Sequence, residues 1–180
     1  MWPGATSDQT ARRLASRVAG IDVILGGHTH DAVPQPIPVT NAGGATLVNN
    51  AGSNRPAPFV EVKVEDFDVI LNLNVRSAFF VAQAVARRLI EARKPGSIIH
   101  MSSQMGHVGG ARRSVYCTSK HAMEGFNKAM AIELAPHGIR VNALAPTFIE
   151  TPMTRPFFQD ETFRRSVLDK IKLGRLGQVE

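Results

Sequence analysis

The chain has 180 residues, 43% of them hydrophobic and 20% charged, which is enough for one domain with a hydrophobic core. Its formal net charge is +6, but the basic residues are dispersed and form no block interleaved with aromatic residues, which argues against a nucleic-acid partner. The single cysteine, Cys117, excludes an internal disulfide and fits a reducing compartment. No apolar run approaches the roughly 18 residues that span a membrane, and no basic segment precedes an apolar core at the N-terminus. We therefore expect a cytoplasmic protein without a membrane partner.

The first quarter of the chain predicts one helix and two strands. Residues 7–18 carry small and branched apolar residues on one helical face and are followed by Gly20, which predicts an amphipathic helix. Residues 21–25 predict a buried strand that ends at two glycines. Residues 32–44 contain prolines at alternate positions, so they predict an extended loop rather than a helix. A second strand begins near residue 45, and we expect it to pair with the first.

The rest of the chain alternates helices with strands. The predicted elements are, in order, a helix at 64–92 kinked near residues 72–74, a strand at 96–103, a glycine-rich loop at 104–113, a helix at 114–135, a strand at 139–144 and a short helix at 163–171. Such alternation predicts an α/β fold with a parallel, doubly wound sheet.

The most informative pair of side chains is Tyr116 and Lys120, which are four residues apart on the predicted helix. Residues at this spacing lie on one helix face, so a phenol and an ammonium group meet in one small volume. A neighbouring ammonium group favours the phenolate, so we expect the pKa of Tyr116 to be lowered and this side chain to act as an acid and a base. The alternative is a half-exposed tyrosine beside a solvated lysine.

The surroundings of this pair resemble the short-chain dehydrogenase/reductase family. Ser103 lies thirteen residues before Tyr116, as the catalytic serine of that family does, and three further segments match it: 47–52, 72–75 and 145–153. The resemblance extends from about residue 46 to residue 180. It implies a three-layer, Rossmann-like parallel sheet, here incomplete.

The resemblance also implies a reaction, which is hydride transfer between a nicotinamide cofactor and a secondary alcohol or ketone. Tyr116 is then the general acid/base, and Lys120 lowers its pKa and binds the nicotinamide ribose. Ser103 hydrogen-bonds the substrate oxygen, and Asn74 holds a helix kink and a water that connects Lys120 to solvent. The alternatives are a strand-end hydroxyl for Ser103 and a helix-interior amide bonded to its own backbone for Asn74.

The cofactor implied by the family is NAD or NADP, which the sequence does not distinguish. The residues expected to bind it, together with Tyr116 and Lys120, are Asn50, Ala51, Gly52, Pro146, Ile149 and Thr151. The first three are expected at the carboxyl end of a strand, where small residues let a ligand approach the backbone. The last three are expected to shape a loop that anchors the carboxamide, Ile149 through its main chain and Thr151 through its hydroxyl.

A second resemblance concerns residues 9–54, which are similar to the 5′-nucleotidase branch of the calcineurin-like metallophosphoesterases. His28 and His30 follow the first strand, and neutral imidazoles are good metal ligands. The other ligand motifs of that family are absent from the sequence, so loop histidines without metal are the alternative. We accordingly divide the chain into a metallophosphoesterase-like fragment, 1–45, and a short-chain dehydrogenase-like part, 46–180, and regard the chain as a splice of two families.

Three functions follow from these resemblances. The first is an NAD(P)-dependent oxidoreductase, and the second is a metal-dependent phosphoesterase. The third is a truncated or chimeric chain without catalysis, because no Thr-Gly-x-x-x-Gly-x-Gly turn for the cofactor pyrophosphate occurs in the sequence. Helices 75–92 and 114–135 resemble the pair through which related enzymes form tetramers, so a homo-oligomer is also expected.

Overall fold

The computed structural model describes residues 23–25, 37–38, 45–151 and 154–178. The predicted helix at 7–18, most of the predicted loop at 32–44, and both His28 and His30 lie outside the described residues. The strands are β1 (Val23–Leu25), β2 (Ile37–Pro38), β3 (Ala45–Asn49), β4 (Gly96–Met101), β5 (Ile139–Leu144), β6 (Ile149–Glu150) and β7 (Gly177–Gln178). The α-helices are α1 (Val64–Leu71), α2 (Ser77–Glu91), α3 (Ser114–Leu134) and α4 (Glu161–Leu168).

Five strands form the main sheet in the order β2-β1-β3-β4-β5. Strands β1, β3, β4 and β5 are parallel, and the two-residue β2 runs antiparallel to β1. The predicted pairing of the first two strands is confirmed, with Val23 opposite Leu47. Strands β3, β4 and β5 are joined by helical crossovers and run in the same direction. Their carboxyl ends therefore meet at one edge of the sheet.

The described part of the chain forms two compact units. One ends at Ala145 and contains the five-stranded sheet, and the other begins at Pro146. The second unit consists of α4 and the parallel pair β6-β7, with a cluster of three phenylalanine rings at Phe148, Phe158 and Phe163. The division at residue 45 that the two resemblances imply stays a prediction.

The core of the larger unit lies between the sheet and helices α2 and α3. Its buried members are Leu47, Ala82, Ala86, Leu89, Ile98, Ile139 and Val141. On α2 the buried residues recur at spacings of three and four, which places them on one helix face, and on β4 and β5 they alternate with exposed or half-buried ones. Each large aliphatic side chain buried in this way stabilises the fold by about 1.5–3 kcal/mol.

The predicted kink in the long helix is confirmed as a π-helical turn, Asn72–Arg76, between α1 and α2. Such turns insert one residue into the helical hydrogen-bond pattern and are frequent at functional sites. Asn74 lies inside this turn and is only 1% exposed. Ser77, which follows the turn, donates its hydroxyl to the Leu73 carbonyl and so bonds the new helix to the turn.

The continuous helical stretch Val64–Glu91 differs from one sequence expectation. It contains an 18-residue window with a mean hydropathy of 1.4, which is long and apolar enough to cross a membrane by length and composition alone. The sequence expectation was wrong because it looked for an uninterrupted apolar run, whereas apolar residues here alternate with scattered polar ones. Core helices of water-soluble proteins pass the same test, and one face of α2 is buried against the sheet. The absence of a membrane partner stays a prediction.

The short helix α4 begins two residues earlier than predicted. Asp160 accepts hydrogen bonds from the backbone N–H groups of Thr162 and Phe163 and is therefore the N-cap. A carboxylate at this position satisfies helix N–H groups and interacts favourably with the helix dipole. The predicted range 163–171 was wrong because it followed the apolar spacing and overlooked this cap.

His100 on β4 is fully buried, and neither ring nitrogen has a hydrogen-bond partner among the described residues. Its ring lies 4.9 Å from that of Phe126 on α3, measured between centroids. Burial and, to a smaller extent, the charge of Lys120 lower the pKa of His100 to about 4. The imidazole is therefore neutral in the folded protein at neutral pH.

We expect this histidine to destabilise the protein in acid. The pKa of His100 is about 4 in the folded chain against 6.5 ordinarily. The contribution of the neutral imidazole to the free energy of unfolding is therefore full above pH 6.5, and about 3 kcal/mol of it is lost as the pH falls to 4. His100→Phe, which keeps a ring beside Phe126, should flatten the decline of unfolding free energy over this interval. Denaturant titrations at several pH values measure it, with the exposed His137→Gln as control. Parallel profiles for His100→Phe and the parent chain would contradict a buried neutral imidazole.

Candidate active site

The end of β4 places a hydroxyl at the carboxyl edge of the sheet. Ser103 has an extended backbone, and its Oγ accepts a hydrogen bond of 3.2 Å from the N–H of Met105, which caps a single 3-10 turn at Gln104–Gly106. A Cβ on Gly106 would lie 2.8 Å from Ser102 Oγ and 3.0 Å from the Lys120 carbonyl oxygen. Only glycine therefore lets this turn pack directly against α3.

The first turn of α3 brings Tyr116 to the same place. Arg113 is the N-cap, its N–H donates to the Gly110 carbonyl at 3.2 Å, and its carbonyl accepts from Cys117 N at 2.7 Å. The half-buried Tyr116 is hydrogen-bonded through its side chain to Ser103. Serine hydroxyl and phenol thus face one small volume, as their spacing predicts.

Lys120 lies one turn further along α3 and is only 5% exposed. Its ammonium group donates to the Met101 carbonyl at 2.7 Å and lies 5.5 Å from the centre of the Tyr116 ring. Burial lowers the pKa of Lys120 to about 8. The amino group is thus held at the end of β4, and its proton is easier to remove than that of a solvated lysine.

The expectation that Lys120 lowers the pKa of Tyr116 is wrong for this structure. Burial raises the pKa of Tyr116 above its ordinary value, and the forces that oppose this are the Ser103 hydrogen bond and then the charge of Arg113. The physical reason is that the low-dielectric surroundings disfavour the phenolate, while the Lys120 ammonium group is bonded to a backbone carbonyl.

Asn74 connects three segments around this site through its side-chain amide. Its Oδ1 accepts from Ser53 N at 2.8 Å, and its Nδ2 donates to the Ser53 carbonyl at 2.9 Å and to Ser119 Oγ at 3.0 Å. The Ser119 hydroxyl in turn donates to the Tyr116 carbonyl at 2.8 Å. The loop after β3, the π-turn and the first turns of α3 are therefore held together by hydrogen bonds to the buried Asn74 amide.

Residues 50–52 follow β3 and lie beside this network. Asn50 is exposed, Ala51 is buried and Gly52 is half-buried. A Cβ on Gly52 would lie 3.7 Å from Lys120 Nζ and 3.4 Å from Asn74 Oδ1, which is ordinary contact. Gly52 thus leaves room for a Cβ next to the Lys120 ammonium group.

Pro146, Ile149 and Thr151 belong to the other compact unit, where a threonine pair organises their loop. Thr154 Oγ1 donates to the Ile149 carbonyl at 2.7 Å and accepts from Thr151 N at 2.9 Å, and the two threonine hydroxyls are 3.1 Å apart. The Ile149 carbonyl and the Thr151 hydroxyl, both predicted to anchor a carboxamide, are thus hydrogen-bonded within their own loop. Their assignment to a cofactor stays a prediction.

The predicted metal ligands His28 and His30 lie outside the described residues. Among the residues that are described, no group of three histidine, cysteine, aspartate or glutamate side chains could hold a metal ion. The assignment of these two histidines to a metal therefore stays a prediction.

Ser119 and Arg113 are two residues of this site that were not predicted. Each is three residues from Tyr116 in the sequence, so helical spacing was a signal that both lie near its face. Nothing in the sequence indicates the partner of Ser119, because Asn74 is 45 residues away. Similarly, the Met101 carbonyl that binds Lys120 is a backbone group without a sequence signal.

The phenol of Tyr116 can be titrated without interference, because the chain contains no other tyrosine. We expect its pKa to lie above the ordinary value of 10.0, since burial raises it. Ser103→Ala should raise the pKa further, because it removes the hydrogen bond that opposes burial. Phenolate absorbance against pH measures both values. An ordinary pKa in the parent chain, or a decrease in Ser103→Ala, would contradict the described environment.

We also expect Ser119→Ala to destabilise the chain by about 1–3 kcal/mol, because it leaves a buried N–H of Asn74 without an acceptor. Thr118→Ala is the matched control on the same helical turn. Its hydroxyl bonds the Ser114 carbonyl, but the residue is exposed and water can replace the bond. Thermal or denaturant unfolding compares the two variants, and equal stabilities would show that the Asn74 amide does not depend on Ser119.

Comparison with known proteins agrees with this geometry. L-xylulose reductase from Bos taurus is 44% identical over 134 residues, which cover 74% of this chain and 55% of that protein. Gluconate 5-dehydrogenase from Burkholderia cenocepacia, in complex with NADP and tartrate, superposes with a TM-score of 0.71 and 33% identity over 76% of this chain and 54% of that one. 4-Hydroxyisoleucine dehydrogenase complexed with NADH gives a TM-score of 0.72 and 28% identity over 74% and 55%.

These matches confirm the predicted Rossmann-like α/β fold with a parallel sheet, part of which is present here. The chain spans about half the length of the L-xylulose reductases that it matches. The sequence model of the short chain dehydrogenase family matches residues 41–162. With Ser103, Tyr116 and Lys120 adjacent at the end of β4, the chain belongs to the short-chain dehydrogenase family.

Proposed function

We propose that this chain is an NAD(P)-dependent oxidoreductase that interconverts a secondary alcohol and a ketone. The observation that supports it best is the hydrogen bond between the Ser103 hydroxyl and the Tyr116 phenol, with the buried Lys120 beside them. These three groups provide a hydrogen-bond donor, a proton carrier and a positive charge at one point.

The protein's part in such a reaction is proton transfer and orientation. When bound, the nicotinamide cofactor accepts a hydride from the alcohol carbon or supplies one to the ketone carbon. Tyr116 takes the hydroxyl proton during oxidation and returns it during reduction. Ser103 donates a hydrogen bond to the same substrate oxygen, and the Lys120 ammonium group would bind the hydroxyls of the nicotinamide ribose. Asn74 positions these groups through Ser119 and carries the predicted water connection to solvent.

The cofactor would be held at the carboxyl end of β3. Gly52 leaves the space beside Lys120 Nζ. The other proposed cofactor-binding residues of the larger unit are Asn50, Ala51, Tyr116 and Lys120. Related proteins were solved with NADP and with NADH, so both remain candidates. For the carboxamide end we propose Pro146, Ile149 and Thr151, as the family resemblance implies.

The names of the relatives support two classes of substrate. L-xylulose is a neutral ketose and gluconate is a sugar acid. Both contain secondary hydroxyls or a ketone, so both fit the proposed chemistry. We propose a polyhydroxylated substrate of one of these classes, handled in the cytoplasm.

Exposed apolar side chains support self-association as part of this proposal. On the helices at 75–92 and 114–135, Phe80 is 51% exposed and Ile132 is 77% exposed. A second copy of the chain would bury such side chains, and aromatic and aliphatic groups are the usual centre of an interface. A catalytically inactive, truncated or chimeric chain that self-associates is the alternative proposal. Phosphoester hydrolysis is a weaker one, since it rests on the resemblance of residues 9–54 alone.

The test of the proposal combines two substitutions. Tyr116→Phe should lower turnover of sugar alcohols or sugar acids with NAD⁺ or NADP⁺ by about 10²- to 10⁴-fold, because it removes the proton carrier, and should weaken NAD(P)H binding much less, because the ring and Lys120 remain. Gly52→Ala should keep the melting temperature, because its Cβ has room in the protein, and should weaken NAD(P)H binding by filling the space beside Lys120. NAD(P)H fluorescence titration and absorbance assays measure these effects.

The exposed Thr118→Ala, within the same helical turn, is the control for both assays. Unchanged turnover in Tyr116→Phe would rule out the proposed acid/base role. If the parent chain binds neither NADH nor NADPH, the inactive-chain alternative is correct.

A further inference from the structure

Arg113 is a charged residue beside the candidate site that the proposed proton transfer does not use. It is half-buried, and among the described residues it has no carboxylate partner. A guanidinium group that is partly removed from water and unpaired is costly unless it receives an anion.

Arg113 lies at the start of α3, three residues before Tyr116. Its backbone is held by hydrogen bonds at both ends of the first helical turn. A Cβ added to Gly110 would lie 3.4 Å from Arg113 Cγ and 3.2 Å from Met105 Sδ. The backbone N–H of Met105 in turn donates to Ser103 Oγ. The first carbons of the Arg113 side chain therefore lie near Gly110, in the segment between Ser103 and Tyr116.

Electrostatics supports this placement. The positive charge of Arg113 lowers the pKa of the Tyr116 phenol, which requires the two groups to be near one another. Arg112, its neighbour in sequence, differs in both respects: it is exposed and has a left-handed backbone with φ of 60°. The charge of Arg112 is not among the causes of the shift in the pKa of the Tyr116 phenol.

We propose that Arg113 binds the carboxylate of an acidic substrate, so that the preferred substrates are hydroxy acids and oxo acids rather than neutral sugars. This inference rests on the proposed function for the reaction itself. Arginine presents several N–H donors in a plane that matches a carboxylate, and a charge-assisted pair in a half-buried site is stronger than one in water. A neutral substrate would leave the guanidinium group unpaired, which provides discrimination.

The first experiment needs no turnover. D-gluconate and D-glucitol have the same secondary hydroxyls and differ at C1, which is a carboxylate in one and an alcohol in the other. A carboxylate held by Arg113 adds negative charge near Tyr116, so saturating gluconate should raise the pKa of this sole tyrosine. Glucitol should leave it unchanged. The readout is phenolate absorbance against pH on the full chain, with and without NADP⁺.

Three variants make this experiment specific. Arg113→Gln should abolish the effect of gluconate, Arg113→Lys should retain part of it because the charge remains, and Arg112→Gln should retain all of it. The same melting temperature in all variants would show that α3 is intact. A gluconate effect that persists in Arg113→Gln, or that is absent from the parent chain, would overturn the proposal.

The second experiment measures turnover. The ratio of kcat/KM for gluconate to that for glucitol should fall about 10- to 100-fold in Arg113→Gln, as expected for a lost hydrogen bond to a charged group. The ratio is informative because a changed basicity of Tyr116 affects both substrates and cancels. An unchanged ratio would assign Arg113 a structural role only. If neither substrate is turned over, the proposed function fails, and the phenol titration still decides the carboxylate site.

Discussion

The site depends on the side-chain amide of one residue, Asn74. Its oxygen and both of its N–H donors are engaged, two with the backbone of Ser53 and one with Ser119. The Asn74 side chain itself is buried, so losing one partner leaves a polar group unsatisfied. A single amide thus fixes the loop after β3 relative to α3. The π-turn is the local distortion that turns Asn74 inward at the required point.

Burial determines the resting charges of the candidate catalytic pair. It raises the pKa of the Tyr116 phenol and lowers that of the Lys120 ammonium group to about 8. The two values move apart, so a phenolate beside an ammonium ion is not the resting state. The Ser103 hydrogen bond and the Arg113 charge work against burial at the phenol. Both interactions therefore limit the rise in the pKa of the phenol.

Much of this fold could be predicted from sequence because its signals are local. The helices at 64–92 and 114–135, the kink between residues 72 and 74, and the strands from β3 to β5 were predicted to within a few residues. The start of α4 was predicted wrongly because a capping carboxylate outweighed the apolar pattern. The predicted alternation of helices and strands also led to the correct parallel sheet.

The candidate site was less predictable where its contacts join distant residues. Family spacing led to Ser103, Tyr116 and Lys120, and the structure brings them together. The bond of Asn74 to Ser119 spans 45 residues, and no local pattern indicates it. The direction of the Tyr116 shift could not be predicted from the Lys120 neighbour alone, because desolvation depends on packing that the sequence does not display.

The groups proposed for chemistry and for recognition share one continuous stretch of chain. Ser103 lies two residues after β4, Arg113 is the N-cap of α3, and Tyr116 and Lys120 follow within two turns. Between them lies the 104–113 loop, whose ends are fixed by the 3-10 turn and the helix cap. Substitutions in that loop other than at Gly106 can alter what is bound without moving the strand and helix that hold the proton carrier. Substrate preference can therefore change separately from the reaction itself.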